Sequence, residues 1–558
     1  MKNEFISRSV FHTFRYLITV IYHLTRQPYL GEKFLEKPIF VRTASGLTRP
    51  ISTLSAWMFN VGVINIGVGG AQMFGWAQTL FPGANIALAY TFAAIPLLFH
   101  ALLYSMMAAA MPRSGGDYVW VSRITHPALG FIANWLFIAY LTVGLGACMS
   151  YFSYMGLTQL FFILGTLLGS PSLIALAEAA ATPIWMLGFG ILLTAVVAII
   201  LQFPTKHVFK FLWICFVIAM AGWLTMMAMF AVFSLSDFQA GFLDYTGLSY
   251  QSIIDTAKSA GYVWQPSLSA TIAAMPLAFM TYSGYVTIAY AAGEVKEVKK
   301  SLLFSIPISL LYGWLIYSST ALLLDKTVGM EFLGSLGHLV FAAGQQPFTY
   351  TYVTFIASVL TKNVFLASWV CVGFIMWIVI IGVVNMFYIT RCIFAWSFDR
   401  LIPSRLAHVS TKYKTPTYAI VVAAVGYVLG LFLTMYTPIG VTMNFNLGMC
   451  TSFAITGAVC AVYPFIKKAL YETAPLKGPS IGPIPFVTIC GAVTAAFFAM
   501  LIYILITNPA LSGPIGAVQW SVVLINVVFC IAVYYISRAY NKKKGIDIAL
   551  AFKEIPPE

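Results

Sequence analysis

The feature that most constrains this chain is a succession of apolar runs, each long enough to cross a bilayer as a helix. About 20 residues suffice for one crossing. Runs of that length fall near 54–80, 84–110, 128–163, 183–202, 205–234, 269–292, 302–325, 363–397, 416–436, 443–466, 485–508 and 514–538, with Gly, Pro and charged residues between them. The expectation is an all-α polytopic membrane protein with about 12 transmembrane helices. The runs are apolar on every side, which marks spans and not amphipathic surface helices. The alternation that a membrane β-barrel needs is missing. With 60% hydrophobic and 9% charged residues, the chain has too little polar surface for a water-soluble globule.

Charge supports the same layout. The net charge of +14 is spread thinly and forms no basic patch, so no nucleic-acid partner is expected. With the N-terminus placed inside, all but three of the 31 Lys and Arg lie on one side; the exceptions are Lys258, Lys326 and Lys362. The positive-inside rule then puts both termini in the cytoplasm of a multi-pass protein of the cell (plasma) membrane. The chain divides into a cytoplasmic N-terminal segment 1–52, spans one to five at 53–234, an extracellular loop 235–268 and spans six to ten at 269–466. Spans 11 and 12 at 467–538 and a cytoplasmic tail 539–558 complete it. The stretch Tyr16–Leu24 is too short to span and has no small-residue cleavage site after it. It reads as an amphipathic helix on the inner leaflet or as a poorly ordered tail. The long connection 326–362 reads as a capping or re-entrant element, or as a surface loop with short helices.

Several chemistries are excluded. The eight cysteines lie in apolar runs without CxxC or Cys/His spacing, so no metal centre and no cofactor is expected. HExxH, GxSxG and P-loop motifs are absent, which argues against an enzyme and an ATP-driven pump. All 17 acidic residues fall in loops, tails or helix ends. Carboxylates at the bilayer midplane mark proton relays and cation sites, so their lack argues against a carboxylate-based proton pump and a polyamine site.

Two interrupted spans carry the functional signal. The first contains Asn65 followed by Gly67-Val68-Gly69-Gly70, a costly helix interior. The sixth contains Phe279, Tyr282, Ser283 and Gly284. Close packing through small residues is the competing explanation. Paired interruptions in corresponding positions of two halves point to a transporter site at their interface. Five helices per half force the halves to be inverted. Exposed amides at a half-helix N-terminus attract a carboxylate, and the opposing carbonyls receive an ammonium. A zwitterionic amino acid fits such a pair without any charged side chain.

The chain resembles the amino acid–polyamine–organocation transporters. Four segments carry the resemblance: Val41–Arg49 before the first span; Met111-Pro-Arg113-Ser-Gly-Gly-Asp117-Tyr118 after the second; Ala292-Gly-Glu294-Val-Lys296 ending the sixth; and Ser397-Phe-Asp399-Arg400-Leu-Ile-Pro403 with Thr415-Pro416 after the eighth. The resemblance implies a LeuT-type 5+5 inverted repeat, with helices 1, 2, 6 and 7 moving against 3, 4, 8 and 9. It implies a permease for an amino acid, neutral or hydrophobic by the reading above. An organocation carrier or exchanger, or a non-transporting nutrient sensor, is the alternative. Gly67, Val68, Gly69, Gly70, Asn65, Phe279, Tyr282, Ser283 and Gly284 are the candidate substrate-binding residues. Arg113, Asp117, Glu294 and Arg400 are the candidate cytoplasmic gate, with Arg113 or Arg123 facing Glu294. The coupling ion is open between H⁺ and Na⁺, with His100 and Asn385 as candidates; Ala219 stands where proton-coupled relatives can carry a lysine.

Overall fold

The computed structural model describes residues 46–344, 352–437, 443, 445–508, 511 and 517–553. The segment Tyr16–Leu24 lies outside them. Among the described residues, ten helices are long and apolar enough to cross a membrane, or eleven if the bent pair Thr53–Gly70 and Phe74–Leu80 is one span. The described strands are a single small hairpin, Ser480–Ile481 against Ile484–Pro485. The chain is therefore an all-α polytopic membrane protein.

The helices used below are α1 (Thr53–Ile64), α2 (Ile66–Leu80), α3 (Ile86–Ala110), α4 (Asp117–Ile124), α5 (Pro127–Cys148), α6 (Thr205–Val232), α7 (Met275–Tyr282), α8 (Val298–Thr327), α9 (Val364–Phe398), α10 (Phe445–Ile466) and α11 (Phe486–Thr507). The run expected at 269–292 is α-helical only as far as Tyr282; it continues as 3₁₀ turns at Thr287–Tyr290 and Ala292–Glu294. α10 packs along α11, α8 along α3 and α6 along α9. Lipid tails give no hydrophobic drive between helices, so close crossings rely on small residues. A Cβ added to Gly222 of α6 would come within 2.8 Å of Gly373 Cα in α9. Ile199, Ile214, Val217 and Leu524 point outward from their helices and give the molecule an apolar belt.

The connection after α8 is mostly buried over residues 328–340. Met330–Gly337 places Phe332 and Leu336 inside, and Leu339 follows. Gly337 sits against Thr79, and Gly334 against Tyr262 Oη and the Gln78 side chain. Within this connection Met330–Gly337 lies over the end of α2, in keeping with the capping reading of 326–362; residues 345–351 lie outside the described residues. The opposite end of the bundle carries 111–116 and 399–416 and is called the basic end here.

Candidate substrate site and the closed basic end

The first span breaks at one residue. Asn65 adopts the left-handed conformation, φ 52° and ψ 66°, which Asn tolerates better than branched residues do. Its N–H bonds Val61 O at 3.1 Å and ends α1, while its Oδ1 accepts from Val68 N at 2.9 Å and starts α2. Its Nδ2 donates to Trp377 O of α9 at 2.7 Å. This corrects the expected position of the break: Gly67, Val68, Gly69 and Gly70 are helical and follow it. The axis of the first span bends by 61° farther on, between Thr53–Gly70 and Phe74–Leu80. The available amides change accordingly. The first turn of a helix leaves its N–H groups without internal partners. Val68 N is taken by Asn65 Oδ1 and Gly69 N by Asn65 O at 3.0 Å, which leaves Ile66 and Gly67.

The sixth span breaks where the sequence suggests. Ser283 leaves the helical region, with φ −48° and ψ 127°, and Gly284 has φ +110°. A Cβ on Gly284 would lie 2.2 Å from Val63 Cγ1, so only glycine lets the two interruptions meet. Ile288 N donates to Asn60 Oδ1 at 2.9 Å, tying the stretch after the break to α1. Tyr317 Oη reaches Ile64 O at 3.4 Å and Thr281 O at 3.5 Å, one carbonyl from each broken helix. Tyr282 packs edge-on against Tyr90 and Tyr317, whose rings stack at 4.9 Å. Asn65, the glycine run, Tyr282, Ser283 and Gly284 thus lie around two facing breaks. Phe279 instead meets Phe498 of α11, with centroids 5.1 Å apart.

Sequence reasoning missed the aromatic walls. A Cβ on Gly67 would fall 2.2 Å from Trp377 Cδ1, and one on Gly70 2.7 Å from Trp223 Cη2. Trp377 Nε1 is a buried donor without a hydrogen-bond partner. Nothing in an apolar run distinguishes such a tryptophan from one that fills space.

At the basic end the ion pairs differ from those expected for the candidate gate residues. Glu294 Oε1 accepts from Arg391 Nε at 2.7 Å, and Oε2 from Arg391 Nη2 at 3.2 Å and Thr205 Oγ1 at 2.9 Å. The pair is bidentate and both side chains are 1% exposed. Arg391 stands where Arg113 or Arg123 was expected. Arg123 takes Asp399 instead, at 2.7 Å, and Tyr118 Oη donates to the same carboxylate at 2.8 Å. Arg113 Nη1 donates to Pro112 O, and Arg400 O accepts from Asn541 Nδ2. Asp117, another of the gate candidates, takes four neutral donors. Tyr290 Oη lies at 2.7 Å, Asn134 Nδ2 at 2.7 Å, Tyr104 Oη at 3.1 Å and Ser452 Oγ at 3.3 Å. Burial pushes the Asp117 carboxyl above its ordinary value, and the four donors offset only part of that rise.

The ion-coupling candidates are dispersed. Asn385 is satisfied within α9, through Ile381 O and Tyr388 Oη. His100 Nδ1 bonds Tyr285 Oη, while Nε2 is buried without a partner.

Comparison with known proteins decides the family. The amino acid permease family model matches residues 51–536. The chain belongs to the amino acid permease family. It is therefore a transporter of amino acids and not an enzyme. This permease is 24% identical over 418 residues to the branched-chain amino acid permease BcaP of Bacillus subtilis (strain 168), covering 70% of this chain and 77% of that protein. It is 33% identical over 91 residues to BcaP of Lactococcus lactis subsp. cremoris (strain MG1363), covering 16% of this chain and 19% of that protein.

Proposed function

We propose that this permease is a secondary transporter that carries a neutral, hydrophobic amino acid across the cell membrane by alternating access. Two inverted five-helix repeats would place their first helices, broken at Asn65 and at Ser283–Gly284, on either side of the substrate. Both termini lie in the cytoplasm in this reading, and the basic end is the inner gate. The observation that carries it is the character of the meeting point. The free amides of Ile66 and Gly67 and the orphaned Trp377 N–H suit a carboxylate, and the carbonyls of Ile64 and Thr281 suit an ammonium. The walls are Val63, Tyr90, Trp223, Tyr282, Tyr317 and Trp377. Every buried Asp, Glu, Lys or Arg among the described residues (Asp117, Arg123, Glu294, Arg391 and Asp399) belongs to the basic end. A charged substrate side chain would find no counter-ion at the breaks. The two relatives named as branched-chain permeases agree with an apolar pocket.

The test is uptake by the purified protein in liposomes, with labelled leucine, isoleucine, valine, phenylalanine, lysine, glutamate and putrescine. Saturable uptake of the branched-chain set is expected. Preference for putrescine or lysine over every neutral amino acid overturns the substrate class, and binding without uptake of any compound favours a sensor.

A further inference from the structure

Asp117 is buried among neutral partners at the place where the basic end closes. It opens α4, directly after Gly115 and Gly116, whose φ values are +104° and +54°. This tight turn lays the loop on the 3₁₀ stretch that follows the sixth-span break. Gly115 N donates to Tyr290 O at 2.9 Å, and a Cβ on Gly116 would meet the Tyr290 ring at 2.7 Å. The carboxylate is thereby delivered to the junction of four other elements: α3 through Tyr104, α5 through Asn134, the 3₁₀ turn through Tyr290 and α10 through Ser452.

The titratable groups that face it are Tyr104, Tyr290, Cys392 of α9 and Cys460 of α10. Its own helix adds Tyr118 and Arg123, both committed to Asp399. No cation pairs with Asp117 among the described residues. An ionised carboxylate in that position carries a buried charge that has hydrogen-bond donors but no counter-ion, a costly state that a proton relieves. The donor set fixes where the proton would sit. Trp396 Nε1 can only donate, and it donates to Asn134 Oδ1 at 2.8 Å, so Asn134 presents its NH₂ to Asp117 Oδ1. That side cannot accept. Oδ2 faces three hydroxyls, from Tyr104, Tyr290 and Ser452, and each can turn to accept. Tyr285, beside the Gly284 break, bonds His100, and the His100 ring lies 4.4 Å from Tyr104. The His100–Tyr104 step is an edge-on ring contact with no hydrogen bond between the two side chains, so the hydrogen-bonded groups around Asp117 end at Tyr104.

We propose that Asp117 is the proton-binding site through which this permease couples substrate movement to a proton gradient. Oδ2 holds a proton while the basic end is closed, and releases it to water when α3 and the Tyr290 turn part from α5 and α10. The sign follows from linkage. The closed state raises the carboxyl above its ordinary 3.8, so protons favour the closed state. That preference is complete below the ordinary value and is lost as pH rises through the raised one. The inference rests on the permease reading above.

The experiment uses purified protein in liposomes with a trapped pH dye, with and without an inward proton gradient, and leucine as substrate. Wild-type uptake is expected to be stimulated by the gradient and to acidify the lumen. Asp117→Asn is expected to lose both the stimulation and the acidification, with leucine affinity changed less than about threefold. Asp117→Glu should restore them. Tyr290→Phe removes a donor to the ionised form, so the pH midpoint of uptake should shift upward; this variant keeps the test open if Asp117→Asn does not fold. Gradient-driven uptake by a folded Asp117→Asn, or an unmoved midpoint in Tyr290→Phe, overturns the proposal. Wild-type uptake indifferent to the gradient overturns it and leaves the permease reading standing. Absence of any amino acid uptake by the wild type overturns both.

Discussion

Single residues decide the geometry of the breaks. Asn65 holds the first one by capping two helices and tethering itself to Trp377 O. Trp377 Nε1 is the side-chain donor at that break without a partner. A hydrogen bond to a charged group contributes roughly 1.5–3 kcal/mol, so Trp377→Phe should weaken leucine binding by about tenfold or more while the protein melts within a few degrees of wild type. Unchanged affinity in scintillation-proximity binding would remove Trp377 from the site. Gly69 faces Tyr317 Oη and Thr281, 3.2 and 3.5 Å from an added Cβ, so Gly69→Leu should abolish binding by filling that space. Full affinity in a folded Gly69→Leu would leave these glycines a packing role alone. Much of this scale was hidden in the sequence. The glycine run advertised a weak helix, but the break settled on the neighbouring Asn65, whose side chain supplies a cap that glycine lacks. Ser283–Gly284 was legible because the left-handed φ of Gly284 needs glycine.

Elements are joined at the basic end by charges that look exposed in the sequence. Asp117, Glu294 and Asp399 stand in loops and helix ends, yet each is at most 1% exposed. Burial there is produced by tertiary closure, and no local pattern reports it. Arg391 lies in an apolar run, 97 residues from Glu294, and its role depends on how α9 crosses the end of the sixth span. Removing one partner of a buried pair strands the other charge, at a cost of about 3–5 kcal/mol. Glu294→Gln should therefore lower the melting temperature in detergent strongly, and Glu294→Gln with Arg391→Met should recover most of the loss. Equal melting of Glu294→Gln and wild type would show that the pair does not hold the end shut. Most of the spans were readable, since hydropathy specifies a bilayer-length helix without reference to partners; the sixth run was not, because its α-helix stops at Tyr282.

At the scale of the molecule, the apolar belt and the distribution of Lys and Arg define two faces. Seven of the eight cysteines are buried and Cys148 is half-buried, so native thiols should label weakly. A membrane-impermeant maleimide applied to intact cells should then mark Ser259→Cys and spare Thr411→Cys until the membrane is opened. Labelling of Thr411→Cys alone would invert the orientation. The bundle also stores a difference in length. The stretch from Thr287 to Glu294 is wound mostly as four- and three-residue 3₁₀ turns. Such turns rise about 2.0 Å per residue where an α-helix rises about 1.5 Å. Rewinding them would draw Glu294 back by roughly 3–4 Å, farther than the 2.7 Å contact with Arg391 can stretch. If the stretch below Gly284 rewinds as α-helix, that change of pitch alone would part Glu294 from Arg391, with no lateral swing of a whole helix.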